Sequence, residues 1–155
     1  MTDYESRLND IESYLKSVTD KYETIMQYIR DAVFTLHEPL PTEPEALFRR
    51  STKIICVSDD LSDAIRMLRT AKLNVVKVYN KTRDPLFTAL VRKGRPSTTA
   101  IECEIRMTNS EMYDTEEELD SVTNIIEYID NLSSKLSDLN WTIGNILSYY
   151  RSVLK

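Results

Sequence analysis

Glycine is nearly absent from this chain of 155 residues: Gly94 and Gly144 are the only two. Nucleotide-cradling loops need glycines where backbone must approach phosphate, so neither a Walker loop nor a dinucleotide-binding turn can be drawn through the sequence. Histidine is rarer still, with His37 alone. A paired-histidine zinc site is therefore excluded, and His37, Cys56 and Cys103 fall short of the four ligands of a structural zinc unless a carboxylate joins them. A catalytic triad would also have to use His37, which falls at a helix end just before Pro39-Leu40-Pro41, a place for capping or packing. Glu102 and Glu104 lie two residues apart, with no base or metal pattern beside them. The expectation is a protein that is not an enzyme, with no catalytic residue, no metal and no cofactor.

Two cysteines make no disulfide framework and point to the cytoplasm. No apolar run approaches the roughly 18 residues of a membrane helix. The acidic start Met1-Thr2-Asp3-Tyr4-Glu5 lacks the apolar stretch of a signal peptide. A membrane role is not expected.

What is present is a foldable composition, 41% apolar and 29% charged, long enough for one domain or a core with an insertion. Three segments differ in character. Residues 3–37 read as one long helix, with apolar positions at Tyr4, Leu8, Ile11, Leu15, Val18, Tyr22, Ile25, Ile29, Ala32 and Leu36. The alternation of four and three is a heptad seam. Thr2 and Glu5 form a capping box, and Pro39, Pro41 and Pro44 end the helix. Residues 110–154 repeat the pattern from Leu119 to Val153, with one shortened step between Ile129 and Leu132, and with Gly144 and Asn140-Trp141 as places where the helix could bend or divide. Each seam needs a partner, so the two helices are expected to pack antiparallel.

Residues 46–107 read differently. Lys53–Val57 is a short apolar strand, and Ser58 caps a helix over about 59–71. Further strands are expected over 72–80, 86–92 and 98–107, joined by turns at 80–85 and 93–96. In the last strand Ile101, Cys103, Ile105 and Met107 alternate with Glu102, Glu104 and Arg106. Cys56 and Cys103 fall on apolar strand faces and are expected to be buried thiols. The predicted fold is therefore α+β: a helical domain of residues 1–45 and 108–155, with an inserted small β-sheet module, residues 46–107, containing one helix.

Charge follows the same divisions. Residues 1–48 carry ten acids and four bases, and residues 107–155 carry nine and three, whereas residues 49–106 carry six acids and thirteen bases. The overall net charge of −5 hides a basic module between acidic helices. Its cations gather at the two predicted turns, Lys77, Lys81 and Arg83 at one, Arg92, Lys93 and Arg95 at the other, with Arg49 and Arg50 at the entrance. These eight are the candidate contacts to a DNA or RNA backbone. The alternative is that they dock onto acidic protein surfaces.

Two flanking seams, Tyr4 to Leu36 and Leu119 to Val153, around the Lys53–Met107 module resemble the architecture of the small subunits of archaeal type I-A CRISPR effector complexes. The resemblance covers the whole chain in outline and rests on no diagnostic motif. It implies a non-catalytic subunit of an antiviral ribonucleoprotein that packs along other subunits and helps hold guide or target strands. A prefoldin-like chaperone also joins two long helices through strands, and a coiled-coil scaffold acting only through protein contacts is the third possibility. All three imply protein partners through the helical seams, as a homo- or hetero-oligomer.

Overall fold

A computed structural model describes residues 2–94 and 97–153, except for the side chains of Ser110 and Glu111. Five α-helices follow one another: α1 (Asp3–Val18), α2 (Tyr22–His37), α3 (Pro44–Arg92), α4 (Thr98–Thr108) and α5 (Ser110–Val153). There is no strand among the described residues. The expected α+β class is thereby overturned, and so is the inserted β-sheet module of residues 46–107. Lys53–Val57, 72–80 and 86–92 are all interior to α3, Ser58 lies in mid-helix rather than at a cap, and 98–107 falls in α4.

The physical reason is the spacing of the buried side chains. Leu47, Ile54, Val57, Leu61, Ala64, Leu68 and Ala71 are all buried, and after the first interval of seven they follow at three and four residues, a single helical face. A β-branched residue in a helix costs only a few tenths of a kcal/mol relative to alanine. Burying one large apolar side chain contributes about 1.5–3 kcal/mol. Continuity of the buried face therefore outweighs local strand preference. The same holds in α4, where Ile101 and Ile105 are buried one turn apart while Cys103 and Met107 are exposed. Alternation and a helical repeat share positions 101 and 105, and the burial selects the helix.

The N-terminal seam is real but interrupted. Thr19 closes α1 in an extended conformation and Tyr22 starts α2, so residues 3–37 form two helices rather than one. The capping box at the start of α1 is present: Glu5 N–H donates to Thr2 Oγ1 (3.2 Å) and Thr2 N–H donates to Glu5 Oε2 (3.3 Å). α2 ends at His37, ahead of Pro39 and Pro41, while Pro44 is the first residue of α3, the position where its missing N–H is of no consequence. Pro85 sits inside α3. α5 continues through Asn140, Trp141 and Gly144 without division. Gly94, at φ +81°, closes α3 in the left-handed conformation that glycine takes freely.

The chain forms two compact units, Met1–Asp20 with Leu68–Ile125, and Lys21–Met67 with Ile126–Lys155. These bounds cut across the segment 46–107, and α3 and α5 each contribute to both. The first unit buries Leu8, Ile11 and Leu15 of α1, and a cluster of Ile101, Ile105 and Met112 against which Tyr79, Leu86, Phe87 and Leu90 pack. The second unit is an α2–α3–α5 core of Ile25, Ile29, Leu47, Ile54, Leu61, Ile129, Leu136 and Ile143. Within it α3 and α5 run antiparallel: Ser51 Oγ donates to Asn140 Oδ1 (2.6 Å), and Tyr150 OH donates to the Thr42 carbonyl (3.2 Å). No helix among the described residues is long and apolar enough to cross a membrane.

Candidate nucleic-acid interface

Between residues 66 and 95 the sequence holds nine Lys and Arg against the single acid Asp84. As a helix, α3 lays this charge out by its 100° rotation per residue. Lys77, Lys81 and Arg92 fall within about 60° of arc and span about 22 Å of helix axis. All three side chains are exposed, as is Lys93 in the turn that follows. None of the four enters an ion pair among the described residues. The two predicted turns would have set these cations at opposite ends of a strand; the helix places them in one row instead.

The remaining cations do other work. Arg83 turns inward, its side chain 22% exposed, with Nη2 donating to Glu102 Oε1 at 2.7 Å and the guanidinium 4.6 Å over the Phe87 ring. The hydrogen bond to Glu102 pushes the Arg83 pKa further up, so it stays charged and committed to α4. Arg49 pairs with Glu45 at 2.7 Å one turn earlier on an exposed face, a pair of little energetic consequence. Arg50 is buried; it pairs with the Glu38 carboxylate at 2.6 Å and donates to the Thr35 and Glu38 carbonyls. It is an internal tie and is closed to an external phosphate. Arg95 lies outside the described residues.

The row is held in place by a network inside the same unit. Tyr79 OH donates to Glu116 Oε1 (2.9 Å), and Arg106 also pairs with Glu116. Burial, reinforced by the Glu116 contact, raises the Tyr79 pKa, so the phenol keeps its proton and the bond persists at neutral pH. The acids of α4 and α5 thus neutralise Arg83 and Arg106 and leave the outward cations of α3 unopposed. Two further residues of this face, Leu73 and Val91, are 61% and 51% exposed and fell inside the expected strands. They fall about 40° to one side of Lys77, and continuing the helical count past residue 71 would have found them.

Other candidate chemistry resolves differently. His37 Nδ1–H donates to the Val33 carbonyl at 2.9 Å, within the last turn of α2. Cys56 and Cys103 are both exposed free thiols; the expectation of buried thiols fails because the strand faces that would have hidden them do not exist. No group of three or more His, Cys, Asp or Glu that could hold a metal ion occurs among the described residues. No protein-family model, curated protein or solved structure matches this chain.

Proposed function

We propose that this chain is a non-enzymatic, cytoplasmic subunit of a larger assembly, contacting a nucleic-acid backbone through the cationic row of α3. The observation that carries this reading is the exposed, unpaired set Lys77, Lys81 and Arg92 along one helix, with Lys93 in the turn that follows it. Phosphate recognition without sequence readout needs such a display of flexible cations and little else. The role is the one implied by the resemblance to small subunits of archaeal CRISPR effector complexes. With the inserted sheet gone, that resemblance is left with the helical halves alone.

A second reading is favoured by a specific observation. Leu73, Val78 and Val91 are exposed between the cations, a mixture that also suits an acidic amphipathic helix of a protein partner in a scaffold or chaperone.

Salt dependence separates the two. Single-strand binding should weaken as salt rises, with a log–log slope of about −0.7 per phosphate contact. Replacing Lys77, Lys81 and Arg92 together by alanine should reduce that slope by about two units and leave the helical far-UV signal intact. Absence of binding at low salt, or a slope untouched by the triple substitution, refutes the nucleic-acid reading and leaves the row to protein contacts.

A further inference from the structure

The proposed assembly leaves open which face of the second unit meets a partner. Trp141, Phe48 and Ile55 are 72%, 61% and 52% exposed, three large apolar side chains on a folded surface. They lie together. The antiparallel register fixed by Ser51 against Asn140 puts Phe48 at the level of Ile143 and Ile55 at the level of Leu136, with Trp141 between those levels on α5. A Cβ built on Gly144 would meet nothing within 4 Å, so the surface is open one turn from the indole.

This face carries a second heptad seam on α5, separate from the one that fills the core. Asp130, Ser137, Trp141, Gly144 and Arg151, with Ser134 and Ser148 between them, follow at steps of four and three throughout, and every one is exposed. A seam that is apolar only at its centre cannot hide itself in its own bundle. It is also close to palindromic. About a midpoint between Asn140 and Trp141, Asp130 mirrors Arg151 and Ser137 mirrors Gly144. On α3, Phe48 and Ile55 mirror one another about a level one residue from that midpoint. A two-fold axis there, running α5 against α5 antiparallel, sets Asp130 of each copy opposite Arg151 of the other, about 31 Å apart along the helix. Neither residue has an ion-pair partner within the chain among the described residues. Small residues beside a central tryptophan allow the helices to approach and leave each indole room against the other copy.

We infer that a second copy of this chain covers this face, forming an isologous antiparallel dimer with Trp141 at its axis. The occupant is identified by charge complementarity under two-fold symmetry, which no arbitrary partner would reproduce. Area agrees. Taking about 200 Å² for each fully buried side chain of this size, the exposed fractions of Trp141, Phe48 and Ile55 supply roughly 750 Å² over two copies. The small residues along the seam bring the contact to the ~1,200 Å² where specific interfaces begin. The dimer extends the assembly half of the proposed function and uses none of the cations of the α3 row.

Sedimentation of the full chain over a concentration series into the high-micromolar range tests it. The wild type should pass from monomer to dimer. Trp141→Ala should raise the dissociation constant by at least about 30-fold for each of the two copies, and because the side chain is exposed the far-UV spectrum should not change. Asp130→Arg and Arg151→Asp should each weaken the dimer by about 10-fold through like-charge repulsion at both ends. Combining them in one chain should restore it to within about 3-fold, since the swapped pairs re-form across the axis. A folded chain that stays monomeric at every concentration overturns the inference, even if a different protein binds the face. So does a dimer indifferent to Trp141→Ala, or a double swap that restores nothing. Nucleic-acid titration of Trp141→Ala keeps failure here distinct from failure of the α3 row.

Discussion

Replacing Arg50 with methionine should destabilise the protein by about 2–4 kcal/mol, although it removes a charge from a core that has almost none. The origin is local. In the last turn of α2 the Thr35 carbonyl should accept from the N–H four residues on, but that residue is Pro39, which has none. Arg50 supplies the missing donor, bonding the Thr35 carbonyl and, at 2.6 Å, the Glu38 carbonyl, while its other nitrogen pairs with the Glu38 carboxylate at 2.6 Å. Methionine fills the stem's volume and donates nothing. Thr35 is fully buried, so its orphaned carbonyl costs about 1–3 kcal/mol, and the lost bond at Glu38 adds about 1 kcal/mol. The Glu38 side chain is 41% exposed and recovers its solvation in water, which keeps the loss below that of a wholly buried pair. Arg50 Nε already lacks a partner and adds nothing to the loss. For a chain of this size the shift in Tm should be about 4–16 °C downward. Thermal and urea denaturation followed at 222 nm read it directly. A variant as stable as wild type, or more so, would refute the tie and return Arg50 to the pool of external cations.

Cys56 and Cys103 should react with a thiol reagent in the native state nearly as fast as after denaturation, because both are exposed; protection of either would show its helix face covered. Burial raises the pKa of Glu118, so its ionisation opposes folding. The stability tied to its protonated form is present below the ordinary glutamate pKa of about 4.3 and is lost as pH rises through the higher folded value. Glu118→Gln should therefore raise Tm at pH 7 and lose that advantage when the melt is repeated below about pH 4; the reverse ordering would contradict the assignment.

Periodicity along the chain was enough to place the apolar seams. Leu8, Ile11 and Leu15, then Ile25, Ile29 and Ala32, then Val122, Ile129, Leu132, Leu136 and Ile143 are buried where their heptad spacing places them. Side-chain periodicity is a one-dimensional property, readable without knowing what covers the face. The capping box was equally local, since both of its hydrogen bonds close within three residues. The concentration of positive charge before residue 96 was plain from composition alone.

The state of residues 46–107 rested instead on packing. Runs such as Ile54-Ile55-Cys56-Val57 and Val75-Val76 suit a strand or a buried helix alike over four or five residues. The tie is broken by whether Leu47, Ile54 and Leu61 find a common core, which they do with α2 and α5 inside the second unit. Helix or strand then decides what the cations face. Lys77, Lys81 and Arg92 join one row because helical rotation brings spacings of four and eleven to nearly the same angle, while Arg50 is turned inward to the end of a neighbouring helix that prolines had stripped of donors. Charge is a property of the residue, but whether a charge meets solvent, a carboxylate or an orphaned carbonyl is settled by packing many residues away in sequence.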